Sequence, residues 1–108
     1  MEKSEFLAQN IFIGLKNMND GFDDSSNQYF TESDFELALQ RIEHFGIGVF
    51  IIETRLDSKQ FETFNHETFK KKATDPKWYN KAFMTLQKRQ TGLLYFATYK
   101  VSKKLLER

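Results

Sequence analysis

The sequence predicts a single α+β domain that is mostly helical, with a small sheet of two or three strands packed by helices. Three observations support this prediction. Apolar residues recur at helical spacing in several stretches, two short runs rich in β-branched and aromatic residues indicate strands, and no linker divides the 108 residues. A chain of this length buries roughly two-thirds of its unfolded surface, which is enough for one core. We therefore expect residues 1–108 to form one globular domain.

The first helix is expected over residues 5–18, where Ser4 can cap the start and apolar residues recur every three or four positions. Those apolar residues are Leu7, Ile11, Leu15 and Met18. A strand over residues 11–15 is the alternative. Phe6 and Ile13 fall on the opposite side of the helix, so the helix is either buried on two faces or in contact with a partner.

The second helix has the clearest ends. It begins at one of two capping pairs, Thr31 with Asp34 or Ser33 with Glu36. Gly46 is a typical C-terminal stop. Between these ends, one apolar stripe consists of Phe35, Ala38, Leu39, Ile42 and Phe45. The apolar run 47–54 that follows predicts a strand covered on both faces, and hence a central one.

The rest of the chain is expected to contain two more helices, a second strand and a short terminal helix. Asp57 is a possible cap for a weakly periodic helix, whereas Asp75 followed by Pro76 is a firm helix start. The predicted bounds are 57–72 and 75–90 for the helices, 93–100 for the strand, and Ser102 for the cap of the terminal helix. The predicted order is therefore α-loop-α-β-α-α-β-α.

The formal charge is divided unequally along the chain. Residues 1–57 carry eleven acids and four bases, a net charge of −7, and residues 58–108 carry four acids and twelve bases, a net charge of +8. The total of +1 hides this asymmetry. Such a division predicts strong local fields and charged partners, and it gives no information about the fold.

Composition excludes several classes of site. The chain contains no cysteine, so it has neither disulfides nor thiolate metal sites. The first sixteen residues carry acids and lack the cleavage site of a signal peptide. No apolar run approaches the roughly 20 residues of a membrane helix. We therefore expect a cytoplasmic protein that needs no cofactor and no metal.

The acidic half offers the first candidate site. Residues 19–28 are rich in glycine, aspartate, asparagine and serine, and we expect them to form a mobile acidic loop. Dense carboxylates can bind a hard cation or mimic phosphates in the basic cleft of a partner, although a solvated loop is the simplest interpretation. The residues predicted to bind a partner are Asp20, Asp23, Asp24, Glu32, Glu36, Leu37 and Glu43.

The basic half offers the second candidate site. Trp78 and Tyr79 are interleaved with the bases between residues 70 and 89, as in surfaces that bind phosphates and stack bases. The helical wheel, however, places Lys77, Lys81 and Lys88 on one solvated stripe. It places Tyr79, Ala82, Phe83 and Leu86 on the opposite, buried side, with Trp78 at the flank. The candidate nucleic-acid-binding residues are Lys70, Lys71, Lys72, Lys77, Lys81 and Lys88, with Arg89 adjoining.

The histidines and several isolated apolar residues suggest further sites. His66 could abstract the 2′-hydroxyl proton in a metal-independent RNase, whereas His44 suits the C-terminal end of a helix dipole. Leu37, with Phe6 and Ile13, would form a contact patch if all three were exposed on neighbouring helices. Met18 and Met84 are expected in the core.

The leading functional prediction is a non-enzymatic protein-binding module. Its concrete form is a small cytoplasmic inhibitor or immunity-type protein, an antitoxin from a bacterium, whose acidic half neutralises a nuclease toxin. The alternative is a nucleic-acid-binding domain that uses residues 70–89, and the third hypothesis is an RNase centred on His66. Opposite charges on two halves would also allow the chain to form a homo-oligomer.

Overall fold

A computed structural model describes residues 1–107, and it contains four helices and one antiparallel sheet of three strands. This architecture confirms the predicted α+β class. The elements in chain order are α1 (Lys3–Asn10), α2 (Glu32–Phe45), β1 (Gly48–Leu56), β2 (Lys59–Asn65), α3 (Pro76–Arg89), β3 (Leu94–Lys100) and α4 (Lys103–Leu106).

Local capping interactions set the ends of the two long helices as predicted. The Thr31 hydroxyl accepts a hydrogen bond from the Asp34 N–H at the start of α2, and Gly46 ends that helix at a φ of 69°. The Asp75 carboxylate accepts a hydrogen bond from the Lys77 N–H at the start of α3, with Pro76 in the first turn. Each cap pairs a backbone group that the helix itself leaves free.

The first helix is shorter than predicted: it ends at Asn10, whereas the prediction extended to residue 18. The alternative of a strand over residues 11–15 is also wrong, since these residues form turns. Arg41 on α2 donates hydrogen bonds to the carbonyls of Ile11 and Ile13, at 2.8 and 2.7 Å. A side chain thirty positions away therefore pairs the backbone groups that a longer helix would have paired.

The helix predicted over residues 57–72 is wrong. Residues 59–65 form strand β2, which is joined to β1 by the two-residue turn Asp57–Ser58. Both turn residues have positive φ, 51° and 67°, as a type I′ hairpin requires. Residues 66–72 form turns that lead to α3.

The sheet has the order β2-β1-β3, so the apolar strand β1 is central, as predicted. The prediction that both of its faces are covered is wrong, because Phe50 and Ile51 are 37% and 36% exposed. The buried β1 residues Val49 and Ile52 belong to the main core. On β3, Tyr95 packs against Phe35 of α2 and Phe83 of α3, with ring centroids 5.1 Å away in both cases. The helices α2 and α3 thus cover one face of the sheet. On the other face, Tyr29 stacks on Phe96 at 5.2 Å.

Two core tyrosines leave a hydroxyl without a partner among residues 1–107. They are Tyr95 and Tyr99, and burial raises the pKa of Tyr95 to about 12 and that of Tyr99 further. A buried polar group without a partner costs about 1–3 kcal/mol. We therefore expect Tyr99→Phe to raise the free energy of unfolding by about 1 kcal/mol. A urea midpoint that falls instead would mean that the hydroxyl is hydrogen-bonded in solution.

Candidate functional site

The helices α2 and α3 enclose a groove of about 360 Å³. Its apolar side chains include Leu39 and Phe83, which belong to the core. Near one end, Asn80 donates a hydrogen bond to Glu43 at 3.2 Å and so links the last turns of α2 to the first turns of α3. The groove is lined by Glu36, Leu39, Gln40, Glu43, Asn80, Phe83, Met84 and Gln87.

Acidic side chains of α2 form the rim of this groove. Glu36 and Glu43 line it, and Glu32 lies one turn before Glu36 on the same side of the helix. All three are exposed, and none of them forms an ion pair within the described residues. We call Glu32, Glu36 and Glu43 the acidic stripe. It carries three negative charges that nearby cations do not neutralise by direct contact.

Met84 is the apolar residue that the groove exposes most. Its exposed fraction is 54%, so the prediction that Met84 is a core residue is wrong. Methionine is flexible and polarizable, and it is common on protein-binding surfaces. The helical wheel that places Lys77, Lys81 and Lys88 on the outer side of α3 also places Met84 there. The sequence therefore contained the signal for its exposure.

The three apolar residues proposed as a contact patch are not equivalent. Phe6 is buried and packs edge-on against Phe45 at 5.4 Å, so its assignment to an exposed patch is wrong. Ile13 and Leu37 are 60% and 43% exposed. Both lie along one flank of α2, because Arg41, one turn after Leu37, binds the Ile13 carbonyl. This flank is separate from the groove, which Leu37 does not line.

The acidic loop has a defined path that the side chain of Asn19 organises. The Asn19 amide donates hydrogen bonds to the carbonyls of Asp23, Asp24 and Asn27 at 2.9–3.3 Å. Its Oδ1 atom accepts from the Gly21 N–H at 3.1 Å. The mobility expected for this loop stays a prediction, which hydrogen exchange of its amides would measure.

The three loop aspartates differ in their surroundings. Asp20 and Asp24 are exposed, and a hydrogen bond from the Ser26 hydroxyl lowers the pKa of Asp24. Asp23 instead faces the sheet, where the Tyr29 hydroxyl donates to it at 2.7 Å and Arg55 approaches to 3.6 Å. The Tyr29 hydrogen bond is the main reason that the pKa of Asp23 lies below its usual range.

The six candidate lysines are all exposed. Lys70, Lys71 and Lys72 lie in the turns after β2, and the other three follow the outer side of α3, as the helical wheel predicted. Trp78 and Tyr79 are buried and are not available to stack on bases. None of the six lysines forms an ion pair within residues 1–107.

Both ion pairs found among the described residues join groups from the same half of the chain. They are Arg55 with Asp23 in the acidic half and Arg89 with Glu62 in the basic half. Ion pairing therefore leaves the excess charge of each half in place.

His66 has a structural role in the basic turns, the segment of residues 66–72 that carries Lys70, Lys71 and Lys72. Its Nδ1 atom is 2.8 Å from the Lys71 carbonyl, which only an Nδ1–H donor satisfies. Its ring lies near the rings of Phe50 and Trp78, at 6.1 and 6.3 Å. No second acid or base is hydrogen-bonded to it in the part of the chain described. His44 is exposed in the last turn of α2.

Neither a metal site nor a membrane span was found in residues 1–107. No group of three or more histidine, aspartate or glutamate side chains could hold an ion there. None of the helices is long and apolar enough to cross a membrane. No protein family model, curated protein or solved structure matches the chain.

Proposed function

We propose that the protein is a small, non-enzymatic protein-binding module. In its most concrete form it is an inhibitor of the immunity or antitoxin type, which acts in the cytoplasm of a bacterium and neutralises a nuclease toxin. One observation carries the proposal: the acidic stripe lies without ion pairs along the rim of a groove that also exposes Met84.

The stripe and the groove supply complementary parts of an interface. Uncompensated carboxylates attract a basic surface and speed association, and they lower the affinity for acidic competitors. An adjacent apolar groove allows a partner to bury side chains at the centre of the contact, where most binding energy arises. A nuclease active site is rich in cations that bind phosphates, so that aligned carboxylates are suitable occupants.

The loop aspartates have unequal parts in this proposal. Asp20 and Asp24 are exposed, although Ser26 donates two hydrogen bonds to Asp24, whereas Asp23 is engaged by Tyr29 and Arg55 on the sheet face opposite to the groove. We therefore expect charge reversal at Glu36 and Glu43 to weaken partner binding more than charge reversal at Asp23.

The decisive experiment is capture from nuclease-treated host lysate at low and moderate salt. We expect the wild-type chain to capture a partner protein in stoichiometric amount. The E36K/E43K chain should capture at least about tenfold less of that protein. The control E67K/E107K reverses two exposed acids outside the groove and changes the net charge equally. Equal capture by E36K/E43K and wild type would contradict the proposal, and recovery of only the chain itself would indicate a homo-oligomer.

Nucleic-acid binding by the basic half is the second candidate function. The exposure of Lys70, Lys71, Lys72, Lys77, Lys81 and Lys88, without ion pairs among the described residues, favours it. It predicts that affinity for RNA or DNA falls steeply with salt and that K71E/K77E/K81E reduces the slope. Recovery of nucleic acid from untreated lysate, with no protein after nuclease treatment, would support it over the inhibitor.

A further inference from the structure

Strand β3 has an outer edge that is only partly paired. Along its inner edge it pairs with β1 over seven positions, Gly48–Arg55 against Leu94–Lys100. On the outer edge, Tyr95 exchanges two hydrogen bonds with Phe30, at 2.8 and 2.9 Å. Backbone groups alternate in direction along a strand, so Ala97 and Tyr99 also point away from β1. Within residues 1–107, no hydrogen bond reaches their outward N–H and C=O groups.

The segment before Phe30 begins to follow β3 and then separates from it. The Tyr29 backbone points the other way, where its N–H donates to Asn17 and its carbonyl accepts from the Met18 N–H. The backbone of Gln28 therefore faces β3, as that of Phe30 does. It has no hydrogen-bond partner in the described residues.

A cavity of about 220 Å³ lies where the two segments separate. Residues 26–28 form one wall and Phe96–Tyr99 the other, with Leu7 and Phe12 contributing apolar surface. Four consecutive β3 residues line it, although their side chains alternate between the two faces of the sheet. The cavity thus lies along the strand edge. Lys3 is the one charged residue among those that line it.

We infer that this cavity binds an extended, acidic peptide segment of a partner protein, which pairs with Ala97 and Tyr99 and continues the ladder that Phe30 begins. Such a segment carries the alternating donors and acceptors that the outer edge of β3 leaves unpaired, which is the basis of recognition by strand addition. Lys3 selects a carboxylate next to the paired residues. This site is separate from the α2–α3 groove, so either site can exist without the other.

Hydrogen exchange on the free, full-length chain tests the open edge. We expect fast exchange at the Ala97 and Tyr99 amides and slow exchange at Phe96 and Thr98, whose N–H groups point towards β1. The two pairs of residues alternate in one strand and serve as controls for each other. Equal protection of all four amides would mean that the edge is closed in solution and would overturn the inference.

Titration with a synthetic probe tests the ligand. The probe is a capped pentapeptide of alternating threonine and valine that ends in glutamate, added up to about 5 mM because so short a strand binds weakly. We expect amide shifts at Gln28, Ala97 and Tyr99. Ser4→Trp, at the cavity, should weaken binding at least about tenfold, whereas Ala8→Trp, exposed on the same helix and outside the cavity, should not. Lys3→Glu should weaken it as well.

Three results of the titration would overturn the inference. They are no shift at about 5 mM probe, shifts confined to the α2–α3 groove, and equal binding by the Ser4→Trp and wild-type chains. The last two would show that the probe binds elsewhere. None of these results bears on capture by the acidic stripe, so the two proposals fail independently.

Discussion

Replacing Trp78 by alanine is expected to lower the free energy of unfolding by about 3–5 kcal/mol. The side chain is 1% exposed, and its indole N–H donates to the carbonyls of Val49 and Ala73 at 3.1 and 3.3 Å. It thereby links α3 to the start of β1 and to the end of the basic turns. Its loss would leave a cavity and two carbonyls without this donor, a large fraction of the roughly 5–15 kcal/mol of total stability.

Two control variants separate the causes. Trp78→Phe keeps most of the ring volume but removes the donor, and should cost about 1–3 kcal/mol. Met84→Ala truncates an exposed residue of the same helix and should change stability by less than about 0.5 kcal/mol. The stability of all three variants is measured by urea unfolding, followed by far-ultraviolet circular dichroism. Tryptophan fluorescence is not suitable, because Trp78 is the single tryptophan. A loss below about 1 kcal/mol for Trp78→Ala would contradict the assigned role.

The parts of the fold that local chemistry determines could be predicted from the sequence. The caps Thr31 and Asp75 and the stop at Gly46 act within one turn of their own helix, so both long helices were found near their observed bounds. The apolar run over residues 47–54 correctly indicated the central strand, although β1 leaves Phe50 and Ile51 of that run exposed.

Strand β2 was missed because its pattern is ambiguous. Phe61 and Phe64 are three residues apart, which fits a helix, and a bulge in the β1–β2 ladder disturbs the alternation that would indicate a strand. The turn Asp57–Ser58 lacks the glycine that usually marks a type I′ hairpin. The pairing with β1 overrides these weak local signals.

The candidate site depends on contacts between distant residues, and sequence spacing does not report them. Arg41 of α2 donates a hydrogen bond to the Ile11 carbonyl, just after the end of α1. Arg55 of β1 forms an ion pair with Asp23 of the acidic loop. The seven-residue spacing of Glu36 and Glu43 puts them on one side of α2, but it does not show that α3 forms the other wall of a groove. Only the packed structure brings Met84 beside that acidic stripe.

Replacing Tyr29 by phenylalanine is expected to lower the free energy of unfolding by about 1.5–3 kcal/mol, the usual contribution of a hydrogen bond to a charged group. Tyr29 is fully buried, and its hydroxyl lies 2.7 Å from Asp23 and 3.3 Å from Glu53. Without this donor, Asp23 would keep its ion pair with Arg55 and its hydrogen bonds from Asn27 and from the Asp24 N–H. Because the hydroxyl fastens the acidic loop to the sheet, amides of residues 19–28 should also exchange faster in this variant.

The same contact predicts how stability changes with acid. The pKa of Asp23 is lower in the folded chain than its ordinary value of 3.8, chiefly because of the Tyr29 hydrogen bond. The folded state therefore binds fewer protons than the unfolded state in mildly acidic solution. The resulting stabilisation is complete above pH 3.8 and is lost as the pH falls through the lowered value in the folded chain.

Asp23→Asn isolates this titration. The amide still offers an oxygen to Tyr29 but does not ionise, so the variant should lose less stability than the wild type between neutral and acidic pH. Asp20→Asn removes the same charge from an exposed position of the same loop and serves as control. Urea midpoints measured from neutral pH to below pH 3.8 distinguish the two. If Asp23→Asn and Asp20→Asn followed the same pH profile, the Tyr29 hydroxyl would not lower the pKa of Asp23 in solution.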